Sequence, residues 1–151
     1  MQVIEFECRG HRFGLPLACV RRAVPSAQPA PLPGAPAPVL GVLNVGGETV
    51  TVIDFGDRAG LGASVLAPAQ LFLIVDLSGF LAALVVDRIL GVAERAPDDC
   101  GAPPVKVASA AFVQSIVRLD DGVCLVVDPD QFLFEQEQAG LAAALAGVGD
   151  E

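Results

Sequence analysis

The sequence predicts a mainly β fold with a single helix at its C-terminal end. Three observations predict it. Short runs of alternating apolar and polar residues recur along the chain, as expected of strands with one buried face. Glycine- and aspartate-bearing turns separate those runs at hairpin spacing. The pattern also occurs twice, once in each half of the 151 residues.

In the first half, Ile4, Phe6 and Cys8 alternate with Glu5 and Glu7, which predicts a half-buried strand with its glutamates outward. Gly10-His11 is the expected turn, and Phe13, Leu15 and Leu17 resume the alternation. Residues 25–38 hold Pro25, Pro29, Pro31, Pro33, Pro36 and Pro38. Proline lacks an N–H and fixes φ, so this segment is expected as an extended surface connection. Val39 to Val45, Gly46-Gly47 and Thr49 to Phe55 read as a hairpin, followed by a short helical turn within 57–62.

In the second half, Leu71 to Leu77 and Phe80 to Val86 are two apolar strands around Ser78-Gly79. A membrane span over 71–90 is the competing reading. Asp76 and Asp87 argue against it, since each would cost about 2.5–3.5 kcal/mol at bilayer depth. After a Pro- and Gly-bearing loop, Val113 to Leu119 and Val123 to Val127 form a hairpin turned by Asp120-Asp121-Gly122. Residues 130–147 are expected as a helix, with Phe132, Leu133, Leu141 and Leu145 on its apolar stripe and Asp130 at its start. A short tail, 148–151, follows.

Shifted by 69 residues, Ile4, Phe6, Gly10, Leu15, Leu17 and Val20 fall on Leu73, Val75, Gly79, Leu84, Val86 and Ile89. Shifted by 74, Val42, Leu43, Val45, Val50, Val52, Ile53 and Asp54 fall on Ile116, Val117, Leu119, Cys124, Val126, Val127 and Asp128. The expectation is two similar units, in approximate halves 1–66 and 67–130, each of two hairpins. Such units can avoid open edges by closing into small barrels.

The formal net charge is -9, with nine Lys plus Arg against eighteen Asp plus Glu. That balance repels a phosphate backbone or an anionic membrane surface, so no nucleic-acid partner and no membrane insertion are expected. The N-terminus lacks the pattern of a secretory signal, which makes a cytoplasmic protein the expectation. Four cysteines stand apart with no C-x-x-C pair, and Cys8, Cys19 and Cys124 sit in apolar surroundings. They are expected as reduced, buried thiols, with Cys100 the one in a solvated loop.

Catalytic chemistry is not visible. His11 is the only imidazole and lies in an expected turn, with no G-x-S-x-G to accompany it. Gly46-Gly47 is followed by a strand and no Lys-Ser/Thr, so it is no phosphate loop. The acidic pairs Asp98-Asp99 and Asp120-Asp121 read as turn chemistry, which argues against a small metal-dependent hydrolase. Asp54, Asp76, Asp87 and Asp128 each end a strand, where a carboxylate accepts backbone N–H bonds or caps a turn. No enzyme, cofactor or metal is expected.

Against this background the run Gly41-Val42-Leu43-Asn44-Val45-Gly46-Gly47-Glu48-Thr49-Val50-Thr51-Val52-Ile53-Asp54-Phe55 resembles a signature of CheW-like domains, G-V-x-N-L-R-G-x-x-x-P-V-x-D-L. Residues 83–92 are similar to the family's G-L-x-V-D-x-V-x-x-V segment. Phe13 to Leu17 with Val20, Leu32-Pro33, and Val113 to Val127 resemble its first hairpin, its pre-strand proline and its last hairpin. The resemblance covers about residues 3–134, in one domain expected over 1–138. It implies two small SH3-like, five-stranded β-barrels packed side by side.

It also implies a function: a scaffold or adaptor in bacterial chemosensory signal transduction. Its partners would be chemoreceptor cytoplasmic tips and the regulatory domain of a CheA-type histidine kinase, in receptor arrays at the membrane. The implied partner-binding residues are Val20, Arg22, Gly41, Val42, Asn44, Gly46, Gly47 and Val86. Val20, Val42 and Val86 read equally as core residues from their alternation. Gly41, inside a strand, points to a bulge or a close backbone approach. The chain departs from the pattern at Gly46, where the family commonly has Arg, near Arg22, where it commonly has an acidic residue, and at Thr51, where it has Pro. Those departures leave open a divergent interaction module of another chemosensory or motility system, one that does not activate a kinase.

Overall fold

The computed structural model describes residues 1–77, 79–95, 100–101, 113–119 and 122–129. The expected helix at 130–147, the tail, Ser78 and the acidic pairs Asp98-Asp99 and Asp120-Asp121 lie outside the described residues.

Eleven strands form among the described residues. The first half contributes β1 (Gln2–Cys8), β2 (His11–Pro16), β3 (Val20–Pro25), β4 (Val39–Val45) and β5 (Glu48–Ile53), with a single 3-10 turn at Leu17–Cys19 and a short helix α1 (Phe55–Arg58). The second contributes β6 (Leu71–Leu77), β7 (Phe80–Val86), β8 (Arg88–Glu94), β9 (Cys100–Gly101), β10 (Val113–Leu119) and β11 (Gly122–Val127). The apolar stretch 71–90 is thus an antiparallel pair followed by β8, and among the described residues no helix is long and apolar enough to cross a membrane. Three strands had no reading in the sequence: β3, with Arg21 and Arg22, β8, with Arg88 and Gly91, where period-two alternation fails, and the two-residue β9, which pairs with β10 where Cys100 was expected in a loop.

The strands order as β8-β1-β2-β11-β10-β9 in one sheet and β3-β6-β7-β5-β4 in the other. The repeat is real, but it does not divide as expected. Each sheet takes a first hairpin from one half, and a third strand and second hairpin from the other. Residue pairs follow the same two shifts. Thr51 pairs with Ala82 and Val52 with Ala83 in parallel, as Leu125 pairs with Phe13 and Val126 with Gly14. Val20 opposes Val75 and Arg22 opposes Ile74 across a bulge, as Ile89 opposes Phe6 and Gly91 opposes Glu5. Neither half is a unit by itself, because its central hairpin finds its neighbours only in the other half.

Side-chain alternation then distributes the core. Ile4, Phe6 and Cys8 of β1 meet Leu73, Val75 and Leu77 of β6 in a core shared by both sheets, with Phe13, Phe55, Leu84, Val86 and Val127. Phe6, Phe13 and Phe55 touch edge-to-face or stacked, with ring centroids 4.7–5.9 Å apart. Such contacts are worth about 0.5–1.5 kcal/mol each beyond burial. The opposite face of the second sheet buries Val50, Val52, Phe72, Ile74, Ala83 and Val85 largely against its own strands. A sheet that covers its own face must curl.

The curl stops short of the two closed barrels expected. Both sheets have an open hydrogen-bonded order. At the second sheet's edge the reason is visible. Val42 of β4 exchanges both backbone hydrogen bonds with Ala30, at 2.8 and 2.9 Å, so the proline segment occupies the place where β3 would close the ring. Bulges at β3 and β4 bend those edge strands further. The proline segment is therefore a cover as well as a connection, and it buries Leu32.

Candidate partner-binding site

The β4–β5 hairpin turns on two residues, Gly46 (φ +60) and Gly47 (φ +88), between the paired Val45 and Glu48. Two consecutive left-handed residues make the tight turn that matches strand twist. Asn44 Oδ1 accepts from the Gly47 N–H at 2.8 Å and holds the turn. Arg22 reaches it from β3: a Cβ on Gly46 would sit 3.4 Å from Arg22 Nη2. Two of the three positions where the chain departs from the family pattern are therefore neighbours.

Together they border a groove of about 370 Å³ lined by Arg21, Arg22, Val45, Gly46, Glu48, Val50, Ile74 and Leu81. Val50 and Ile74 belong to the second sheet's own core, with Val45 and Leu81 packed against it. The groove thus has a charged rim over a small apolar floor, whose open surface comes from the half-buried Val45 and Leu81 because Val50 and Ile74 lie buried beneath. On that rim Arg21 is engaged with Asp76, by Nε at 2.9 Å and Nη2 at 3.3 Å. The hydrogen bond to Asp76 raises the Arg21 pKa further. No ion pair or hydrogen bond engages the exposed Arg22 among the described residues.

The other expected site residues separate. Gly41 is buried at φ +151, and a Cβ there would lie 2.1 Å from the Ala30 carbonyl oxygen. The close approach read from the sequence exists, but this chain's own proline segment makes it, so Gly41 presents no surface to a partner. Val86 is fully buried in the shared core. Val20 and Val42 are half-buried and pack against that core, so both retain some open surface.

Two of the four strand-ending aspartates, Asp54 and Asp87, accept backbone N–H bonds as expected, whereas Asp76 lies inside β6 and pairs with Arg21. Asp54 caps α1, accepting from Asp57 N at 3.2 Å and from Ser64 N at 3.3 Å. Asp87 accepts from Arg9 N at 2.6 Å and Gln70 Nε2 at 2.9 Å. Arg9, which the sequence did not single out, ties these regions together. The first turn is Arg9-Gly10, with Arg9 at φ +51, and His11 opens β2. The Arg9 guanidinium donates to the Leu61 and Gly62 carbonyls, to Ser64 Oγ at 2.8 Å and to Asp54 at 3.4 Å.

The end of the first sheet related by the repeat has different chemistry. Positions equivalent to Val50, Ile74, Leu81 and Arg22 hold Cys124, Glu5, Arg12 and Gly91. Glu5, expected outward, is only 7% exposed, because that face lies inside the first sheet's curl. Arg95 compensates it, donating to Glu5 Oε2 at 2.7 and 3.1 Å. Burial first, and Glu5 next, push the Cys124 thiol up to about 12. Burial likewise raises Cys8 to about 11, assisted by Asp87. Both thiols are buried and neutral, without the character of nucleophiles. Among the described residues no cluster of His, Cys, Asp or Glu is arranged to hold a metal ion.

A family model for the CheW-like domain matches residues 2–137. The chain is 24% identical over 147 residues to a chemotaxis protein CheW of Treponema pallidum (strain Nichols), covering 93% of this chain and 86% of that one. It is 25% identical over 142 residues to a chemotaxis protein CheW of Rhizobium meliloti (strain 1021), covering 91% of each. The crystal structure of the scaffolding protein TtCheW from Thermoanaerobacter tengcongensis superposes with a TM-score of 0.80 at 23% identity, covering 90% of this chain and 94% of that one.

Proposed function

The chain belongs to the CheW-like domain family, and on that premise we propose that it is a chemosensory coupling adaptor. It acts without catalysis, in the cytoplasm, joining chemoreceptor tips to the regulatory domain of a CheA-type histidine kinase. The observation that carries this reading is the extent of the match: residues 2–137 include every described strand, and so both sheets and the seam between them. An adaptor needs two faces. The apolar groove with a charged rim on the second sheet suits the kinase domain. The seam near Val20 and Val42 suits an amphipathic receptor hairpin, which requires an apolar track.

The test is reconstitution with a receptor cytoplasmic fragment and the kinase of the same cell. Co-sedimentation of all three, with a rise in kinase autophosphorylation over kinase and receptor alone, is the expected result. Binding to neither partner overturns the reading. A second reading, a divergent module that binds without activating, has one observation in its favour: Gly46 and Arg22 replace a commonly Arg and acidic pair at adjoining positions. A ternary complex with unchanged kinase activity is its signature.

A further inference from the structure

We propose that the groove beside Arg22 selects its partner by charge: it takes an acidic edge of the kinase regulatory domain. An apolar side chain rests on the half-buried Val45 and Leu81 while a neighbouring carboxylate pairs with the Arg22 guanidinium. The proposal rests on the adaptor reading and specifies the chemistry of one of its two partners.

Arg22 is where the cation is available. Other arginines with described side chains are engaged: Arg9 with Asp54, Arg21 with Asp76, Arg88 with Glu7, Arg95 with Glu5, and Arg12 and Arg58 with partners of their own. Among the described residues Arg22 alone presents an exposed guanidinium with no ion pair or hydrogen bond. The protein carries a net charge of -9, so an acidic partner is repelled by most of its surface. A free cation beside an apolar floor reverses that sign at one point and sets the docking register.

The surroundings keep Arg22 accessible. Gly46 lies against the guanidinium without a side chain, and Gly47 has no heavy atom within 4 Å of where a Cβ would stand. The fold itself does not require the arginine, since the repeat-related position in the first sheet is Gly91 on an equivalent bulge. There the apolar floor is replaced by Glu5, Arg12 and Cys124, and Glu5 is neutralised internally by Arg95. The two ends share a topology, but only the Arg22 end combines an apolar floor with a free cation.

The experiment measures binding of the full chain to the purified kinase regulatory domain by titration calorimetry at low and high salt. Arg22→Ala should weaken binding by about 10-fold and Arg22→Glu by about 100-fold, as expected for loss and reversal of a charge-assisted bond. Arg22→Lys should retain most of the affinity. The penalties should shrink as salt rises. Arg88→Ala, on the first sheet, is the control and should bind as wild type. Melting curves verify folding, and if the glutamate variant unfolds, the alanine variant and the wild-type salt dependence decide. If wild type binds the domain and Arg22→Glu binds within about twofold of it, this inference fails and the adaptor reading stands. If Arg22 variants lose receptor binding and keep kinase binding, the occupant is wrong and the inference is overturned. If wild type binds neither partner, both readings fall.

Discussion

Gly41→Ala is the sharpest probe of how the second sheet is sealed. The added Cβ would stand 2.1 Å from the Ala30 oxygen, 2.8 Å from the Ala30 carbonyl carbon and 3.2 Å from Pro29 Cβ. Two of those atoms are backbone, so no side-chain rotation relieves the contact. The proline segment must retreat by about 1 Å, which takes its two hydrogen bonds with Val42 beyond bonding length. Each such bond is worth about 0.5–1.5 kcal/mol net. A side chain at φ +151 adds strain of about 1–2 kcal/mol. The sum, about 2–5 kcal/mol, lowers Tm by roughly 5–15 °C in a chain of this size. Circular-dichroism melting measures the shift, and hydrogen exchange at Val42 locates it. A Tm within about 2 °C of wild type, or an unchanged Val42 amide, would refute the steric argument. The same calculation governs partner assays. A bulky residue at Gly41 displaces the cover before it obstructs any receptor, so lost binding there reports lost structure.

Three further outcomes follow from the same contacts. Arg9→Ala removes the guanidinium from Asp54, Ser64 and two loop carbonyls; with partial exposure discounted, a loss of about 2–4 kcal/mol is expected, seen as a lower Tm and earlier proteolysis within residues 59–66. Cys8 and Cys124 should resist alkylation at pH 8 until the protein unfolds, because burial raises both above the ordinary thiol value of 9.0. Their folded pKa values exceed the unfolded one, so the stability they contribute is complete below pH 9 and is lost as pH rises towards about 11–12; urea midpoints across that window should fall, and Cys8→Ala should flatten the decline. Gly46→Arg alone should destabilise by about 1–2 kcal/mol, from a side chain at φ +60 beside a like charge, whereas adding Arg22→Glu should return part of that loss; equal Tm values for single and double variants would show that the two positions are uncoupled.

Much of this protein was legible in one dimension. Strand identity in both hairpins of each half depends on local alternation and turn residues, and β4, β6, β7 and β10 fall where the pattern puts them. The doubling was legible too, because equivalent strands need equivalent apolar faces. The family motifs sit mostly in those same strands. What the pattern could not express is which strands become neighbours. The exchange of hairpins between halves is a long-range choice, set when β2 pairs with β11 and β7 with β5, and local propensity is indifferent to it.

Burial followed from that choice. Glu5 carries the alternation of an outward residue, yet the curl of the first sheet encloses it, and only Arg95, ninety positions away, makes that tolerable. Gly41 announced a close approach without naming its partner, which turned out to be Ala30. Val86 read equally as seam or core, and packing of the two sheets made it core. The sequence by itself determined the two hairpins of each half, their repeat and the family. Only the tertiary structure decided that Arg22 and Gly46 stand together beside a small apolar floor, because the approach of the two edges of one curled sheet depends on the sum of pairings and not on any single stretch of residues.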